Sequence, residues 1–171
     1  FGPVLGLVAV ADLDEALAVQ NAVDFGLTGG IHSLGPVEVE RWLDAVEVGN
    51  AYVNRGITGA IVQRQPFGGW KRSAVGPGAK AGGPDYLLQL GTWSPTREVS
   101  EVDPSEVAAS DEAWWDDHYG IERDPTGLFC ESNVHRYRPH PDLVVRIGPG
   151  ATDAEVDRVL AAAARCRVEP R

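Results

Sequence analysis

Residues 27–54, LTGGIHSLGPVEVERWLDAVEVGNAYVN, decide the fold. The two ends of this stretch, 27–33 and 48–54, are short runs of the kind that forms strands. Between them Pro36 begins a segment with an apolar stripe at helical spacing, formed by Val39, Trp42, Leu43 and Val46. A strand, a helix and a second strand in this order predict a parallel pair of strands with a helical crossover.

Further elements flank this unit on both sides. Residues 4–10 form an apolar run that predicts a strand, and Asp12 with Glu15 three residues later predicts the start of a helix. Residues 86–93 predict another strand. Near the end, 143–147 predict a strand, and a Thr-Asp-Ala-Glu sequence at 152–155 predicts a capping box before a helix. The predicted fold class is therefore α/β.

Composition and charge exclude several classes of protein. The chain has 171 residues, a net charge of −10 and two cysteines, which are too few for a disulfide framework. An acidic chain is a poor ligand for nucleic acid, and the longest apolar run, 4–11, is too short to cross a bilayer. Because no methionine occurs at the start or elsewhere, we expect a fragment or a processed piece.

A glycine-rich segment, 55–84, shows little periodicity and holds eight glycines. Loops of this length are usually functional or disordered. Its basic residues and absence of acids between 55 and 80 suit a small anionic ligand. At Gly82 and Gly83, successive backbone N–H groups can form an anion nest. From the residues alone, a plain turn remains the alternative.

Several motifs in this order resemble the C-terminal part of an aldehyde dehydrogenase. They are Phe-Gly-Pro-Val at 1–4, Tyr-Val-Asn at 52–54 and Gln-Pro-Phe-Gly-Gly at 65–69. Lys-Ala-Gly-Gly-Pro-Asp-Tyr-Leu at 80–87, with Ser73 and Thr-Gly-Ala-Ile-Val at 58–62, is similar to the anchor loop of the 1-pyrroline-5-carboxylate dehydrogenase family. The resemblance covers about residues 1–93. Two short motifs at 129–133 and 136–139 resemble the C-terminal extension of bifunctional proline utilization A proteins.

This resemblance implies an NAD-dependent oxidation of L-glutamate γ-semialdehyde to L-glutamate in proline degradation. In that chemistry a cysteine thiolate attacks the aldehyde, and water releases glutamate from the thioester. The resemblance places the nucleophile upstream of residue 1, so we expect the chain alone to be inactive. It implies a cytoplasmic homo-oligomer that needs upstream NAD-binding and catalytic segments. Whether a linked proline dehydrogenase domain precedes them is open.

The resemblance also implies roles for individual residues. Phe1 matches a motif whose aromatic ring contacts the nicotinamide ribose of NAD. Gly82 and Gly83 match the glycines that hold the α-carboxylate of the substrate, and the hydroxyl of Ser73 can join them. Phe67 either lines the aldehyde or cofactor pocket or packs under the loop.

Cysteine and histidine patterns predict neither a nucleophile nor a metal. Cys130 and Cys166 lack the Gly-Gln-x-Cys context of an aldehyde dehydrogenase nucleophile, so we assign neither a catalytic role. The four histidines are scattered, and the spacing of His135 and His140 to Cys130 is interpreted as coincidence rather than a zinc site.

The predicted organisation has three parts. Residues 1–94 form the last part of an aldehyde dehydrogenase domain with its oligomerization strand, 95–124 an acidic linker with a short helix, and 125–171 the start of a small α/β unit. Two other functions remain open. Ala74-Val75 replaces the Gly-Thr of most family members, which allows an aldehyde dehydrogenase of another substrate class. Trp114-Trp115 among acidic residues allows a non-catalytic assembly module.

Overall fold

The structure is a computed structural model that describes residues 2–62, 64–76, 78–94, 96, 102–140 and 142–171. The chain divides into two compact units, Phe1–Thr92 and Trp93–Arg171. Within these described ranges, no helix combines the length and apolar character needed to cross a membrane.

The first unit is built on the strand–helix–strand segment that the sequence predicts. Its elements in chain order are α1 (Leu13–Asn21), β1 (Phe25–Gly26), β2 (Thr28–Ile31), α2 (Pro36–Ala45), β3 (Asn50–Val53), β4 (Trp70–Lys71) and a 3-10 helix (Tyr86–Leu90). Strands β2 and β3 pair in parallel, with Thr28 opposite Asn50 and Ile31 opposite Val53. The predicted parallel pair with its helical crossover is therefore confirmed.

Both helices begin at residues that the sequence marks. The carboxylate of Asp12 accepts the N–H of Glu15 at 3.0 Å, and the carboxylate of Glu15 accepts the N–H of Ala11 at 2.6 Å. The bond from the N–H of Glu15 satisfies a donor that the first turn of α1 leaves unpaired, and the bond from the N–H of Ala11 fixes the chain just before the helix. Pro36 lies in the first turn of α2, where its missing N–H costs nothing.

The core of the first unit contains residues of both helices. Leu17 of α1 packs with Trp42 and Val46, and the Trp42 side chain is only 2% exposed. The indole N–H of Trp42 donates to the side-chain oxygen of Gln20 at 2.9 Å, so the buried ring keeps its polar atom paired. The apolar stripe of α2 thus faces the core, as its spacing predicts.

A short antiparallel ribbon joins the glycine-rich segment to the rest of the first unit. In this ribbon β1 pairs with β4, and Phe25 lies opposite Lys71. The ammonium of Lys71 donates to the carbonyl oxygens of Asn21 and Val23, the latter at 3.1 Å, and pairs with the carboxylate of Glu47. A lysine that binds carbonyls just after α1 satisfies acceptors that the helix end leaves open.

The predicted strand at 4–10 is wrong. Val4 and Leu5 are 92% and 83% exposed, and the segment has no strand partner among the residues placed in the structure. Strands are stable only when a neighbour accepts and donates backbone hydrogen bonds. The predicted burial of this apolar segment is wrong as well, since the structure leaves it exposed.

The predicted strand at 86–93 is also wrong, because Tyr86–Leu90 is a 3-10 helix. The N–H of Tyr86 donates to the carbonyl of Gly83 at 3.3 Å, and that of Leu88 to the carbonyl of Asp85 at 3.2 Å. Such local bonds satisfy the backbone where no adjacent strand does so. Leu87 remains 74% exposed.

Among its described residues, the second unit contains two α-helices, α3 (Pro104–Trp114) and α4 (Asp153–Arg165), and a π-helical turn (Trp115–Tyr119) that continues α3. The predicted capping box is confirmed, with Thr152 and Glu155 bonded to each other's backbone N–H groups. Arg158 of α4 holds Asp111 of α3 through two nitrogen–oxygen contacts of 2.9 Å. The helix of the predicted acidic linker therefore belongs to the packing of the second unit.

No strand forms at 143–147, so this third strand prediction is also wrong. The carbonyl of Leu143 accepts the N–H of Arg171 at 2.9 Å, and the N–H of Val145 donates to the carbonyl of Arg171 at 2.9 Å. These two bonds have the pattern of a parallel pair. A single pair of backbone hydrogen bonds of this kind is not sufficient to form a strand.

Candidate functional site

The Gln-Pro-Phe-Gly-Gly motif crosses the backbone just before β3 at very close range. A Cβ atom on Gly49 would lie 1.8 Å from the carbonyl oxygen of Gly68 and 2.6 Å from the Cα of Gly69. Side-chain atoms never approach a backbone so closely, so the crossing requires glycine at position 49. The sheet thus fixes where this motif lies.

Phe67 brings the two halves of the glycine-rich segment together. Its N–H donates to the carbonyl of Ala81 at 3.0 Å, and its carbonyl accepts the N–H of Ala81 at 2.9 Å. The Phe67 side chain is half-buried. This bridge places the predicted site residue Phe67 beside the residue that immediately precedes Gly82.

Gly82 and Gly83 form a tight turn whose shape depends on glycine. Gly82 has a φ of +76°, and a Cβ there would lie 3.1 Å from the Cα of Val62. The N–H of Gly83 donates to the carbonyl of Lys80 at 2.9 Å. The N–H of Gly83, one of the two predicted anion donors, is therefore already engaged within the turn. An anion can be bound by this turn mainly through the N–H of Gly82.

Ser73 lies at the ribbon end of the segment. Its N–H donates to the carbonyl of Trp70 at 3.0 Å, and its hydroxyl oxygen accepts the N–H of Gly26 at 3.2 Å. Gly82 and Gly83 instead contact Val62 and Lys80. The structure therefore joins Phe67 to the glycine turn but ties Ser73 to β1. The remaining expected site residue, Phe1, lies outside the described residues.

Lys80 and Asn50, which the sequence alone did not indicate as site residues, hold the anchor loop in place. The ammonium of Lys80 donates to the carbonyl of Gly68 at 3.0 Å, to the side-chain oxygen of Asn50 at 3.1 Å and to the carbonyl of Gly49. Burial lowers the pKa of Lys80 to about 8. The sequence shows a lysine two residues before the Gly-Gly pair. It does not show which oxygens this lysine binds, because they lie far from it along the chain.

Neither a metal cluster nor a common dinucleotide fingerprint is found among the described residues. No cluster of three histidine, cysteine or carboxylate side chains that suits a metal occurs in the described part of the chain. The sequence holds no Gly-x-Gly-x-x-Gly fingerprint for a dinucleotide. What the described residues offer chemically is a backbone donor turn for a small anion.

Comparison with known proteins places this geometry in a family. The model of the aldehyde dehydrogenase family matches residues 1–92. The chain belongs to the aldehyde dehydrogenase family. The match spans the first unit of the fold, including the strand–helix–strand segment and the glycine turn. The resemblance inferred from the sequence motifs is confirmed.

Individual relatives narrow the likeness further. The chain is 52% identical over 93 residues to a 1-pyrroline-5-carboxylate dehydrogenase of Staphylococcus aureus strain JH1, an alignment that covers 53% of this chain and 17% of that protein. The solved structure of proline utilization A from Corynebacterium freiburgense matches 99% of this chain, with a TM-score of 0.88 and 52% identity. That match covers 19% of the solved chain. The chain thus spans less than a fifth of either relative.

Proposed function

We propose that this chain is part of an enzyme that oxidises L-glutamate γ-semialdehyde, which forms from 1-pyrroline-5-carboxylate, to L-glutamate. The observation that carries the proposal is the 52% identity over 93 residues to a protein named for that activity. The preformed turn at Gly82 and Gly83 supports it, because a substrate with an α-carboxylate needs fixed donors.

In this proposal the glycine turn receives the α-carboxylate. The N–H of Gly82 is the proposed donor to the anion, and Gly83 keeps the turn tight through its bond to the carbonyl of Lys80. Ser73 uses its hydroxyl oxygen as an acceptor, which leaves its hydroxyl hydrogen as a donor for the carboxylate. The ring of Phe67 lines the pocket on the side of the reacting aldehyde.

The remaining chemistry is assigned to parts of the enzyme outside the described residues. NAD is the proposed hydride acceptor, with Phe1 beside its ribose. A cysteine upstream is the proposed nucleophile that forms the thioester, because Cys130 and Cys166 are exposed thiols and a nucleophile needs a base and an oxyanion site around it. The 171-residue chain by itself is therefore proposed to be inactive.

The proposal extends to the assembly. The solved protein that matches both units is a proline utilization A, which supports a linked proline dehydrogenase domain in the same polypeptide. We also propose a cytoplasmic homo-oligomer in which the upstream NAD-binding and catalytic segments complete the active site.

The test uses the complete gene product that contains this sequence. Purified protein is supplied with NAD and either L-glutamate γ-semialdehyde or propanal, and NAD reduction is followed by absorbance. We expect kcat/KM to favour the semialdehyde by about a hundredfold or more, since a site built for polar groups rejects an analogue that lacks them. Equal rates would indicate an aldehyde dehydrogenase of another substrate class.

A second arm tests the proposed location of the nucleophile. The 171-residue chain is purified by itself and assayed under the same conditions. We expect no NAD reduction with either aldehyde. Turnover by this chain would contradict the proposal that the nucleophile lies upstream.

A further inference from the structure

Lys80 makes three long-range hydrogen bonds from the anchor loop. Its ammonium reaches the carbonyl oxygens of Gly49 and Gly68 and the side-chain oxygen of Asn50. An ammonium has three N–H groups, so these three oxygens use its full donor capacity. Lys80 therefore has no N–H left for a carboxylate, and its role differs from that of a direct ligand.

Asn50 is the second member of this arrangement. Its side-chain N–H donates to the carbonyl of Pro66 at 3.0 Å, and its side-chain oxygen accepts the N–H of Gly68 at 3.3 Å besides the Lys80 ammonium. Asn50 is the first residue of β3 and pairs with Thr28 across the parallel strands. A sheet residue thus fixes both the Gln-Pro-Phe-Gly-Gly motif and the lysine.

Backbone contacts connect Lys80 and the Gln-Pro-Phe-Gly-Gly motif to the glycine turn. The N–H of Gly83 donates to the carbonyl of Lys80. Ala81, between them, bonds to the backbone of Phe67 through both its N–H and its carbonyl. A Cβ on Gly68 would lie 3.1 Å from the Cα of Lys80, so the two backbones are in direct contact. The conformation of Gly82 is held between these fixed points.

We propose that Lys80, seated by Asn50, is a positioning residue that sets the anchor-loop conformation in which the glycine turn receives the α-carboxylate of the substrate through the N–H of Gly82. This inference rests on the proposed function. The geometry predicts that Lys80 governs the preference for aldehydes with an α-carboxylate and leaves the chemical step unchanged.

The experiment compares Lys80→Met with the wild-type complete gene product. For each protein, kcat and KM are measured with L-glutamate γ-semialdehyde and with propanal at saturating NAD. We expect Lys80→Met to raise the KM for the semialdehyde by about tenfold or more, because small misplacements of binding groups have effects of this size. We expect kcat for the semialdehyde and both constants for propanal to stay within about twofold.

Two further variants separate positioning from general damage. Lys71→Met is the matched control, because the ammonium of Lys71 also bonds backbone carbonyls in the first unit, but at the end of α1 rather than in the anchor loop. We expect it to leave the substrate preference unchanged. Lys80→Arg keeps the positive charge and the N–H donors but places them on a planar guanidinium group. We expect this variant to lose part of its preference for the semialdehyde over propanal.

Each outcome decides the question. Equal losses for both aldehydes in Lys80→Met, or no loss for either, would overturn the inference. If Lys80→Met does not fold, the same comparison is made with Lys80→Arg, where a selective rise in the KM for the semialdehyde supports the inference and an equal effect overturns it. A wild-type enzyme without preference for the semialdehyde would instead refute the proposed function.

Discussion

The ammonium of Lys80 donates a hydrogen bond to the carbonyl oxygen of Gly68 at 3.0 Å. The side chain of Lys80 also covers Gly68, where an added Cβ would lie 3.0 Å from the lysine Cγ. The anchor loop and the Gln-Pro-Phe-Gly-Gly motif are therefore one structural unit. A change in either segment is expected to affect the glycine turn.

Gly82→Ala is expected to weaken substrate binding. A φ of +76° costs an L-residue about 1–2 kcal/mol, and the new methyl would press on the backbone of Val62. We expect the unliganded turn to relieve this strain by leaving the receptive conformation, so that binding must restore it and the KM for the semialdehyde rises by about tenfold. Steady-state kinetics of the complete gene product checks this. Gly91→Ala is the control, since Gly91 has a φ of −105° and open space at its Cβ. An equal KM in both variants would contradict the prediction.

Ser73→Ala tests two roles of one hydroxyl. Removing the oxygen leaves the N–H of Gly26 without its acceptor at 3.2 Å, so we expect the free energy of local opening to fall by about 1 kcal/mol. Amide hydrogen exchange at Gly26 measures this. If the hydroxyl also donates to the carboxylate, the KM for the semialdehyde rises several-fold. Ser73→Thr keeps a hydroxyl and is the control. Faster exchange with an unchanged KM would show that Ser73 only supports β1.

The stability contributed by Lys80 is expected to rise with pH. Burial lowers the pKa of Lys80 to about 8 in the folded protein, whereas an unfolded lysine titrates near about 10.4. Between these values the unfolded state binds more protons, so the free energy of unfolding increases with pH. We expect the thermal midpoint of the wild type to rise relative to that of Lys80→Met from pH 8 to pH 10. A gap that is constant or that narrows would contradict this.

Asp124 is expected to stabilise its loop above about pH 4 and to lose that effect in acid. The hydroxyl of Thr126 at 2.6 Å and the N–H of Asn133 at 2.9 Å hold the pKa of this carboxyl well below its ordinary value. Stability from a lowered carboxyl pKa is present above the unfolded value of about 3.9 and disappears as the pH falls below it.

Hydrogen exchange at Asn133 measures the Asp124 effect between pH 6 and pH 3. We expect protection to fall with acid in the wild type, after correction for the intrinsic exchange rate, and to be low throughout in Asp124→Asn. An asparagine keeps one acceptor oxygen but loses the charge that strengthens these bonds. Protection that is the same in both proteins at pH 6 would refute this role for Asp124.

Sequence by itself determined the parts of the fold that depend on neighbours along the chain. The helix starts at Asp12, Pro36 and Thr152 follow from capping and proline geometry, which act within one turn. The parallel pair of β2 and β3 follows from the short crossover that connects them. Gly82 was identifiable because a backbone conformation that favours glycine leaves its mark in the residue type.

Tertiary structure alone decided the features that depend on distant groups. The runs at 4–10 and 86–93 have strand-like composition, yet a strand forms only where another strand pairs with it, and composition does not report that neighbour. Lys80 gains its role from oxygens of Gly49, Asn50 and Gly68, which the fold brings together from separate segments. Hydrogen bonds between segments distant along the chain leave no local pattern, so the residues that hold the anchor loop became evident only in three dimensions.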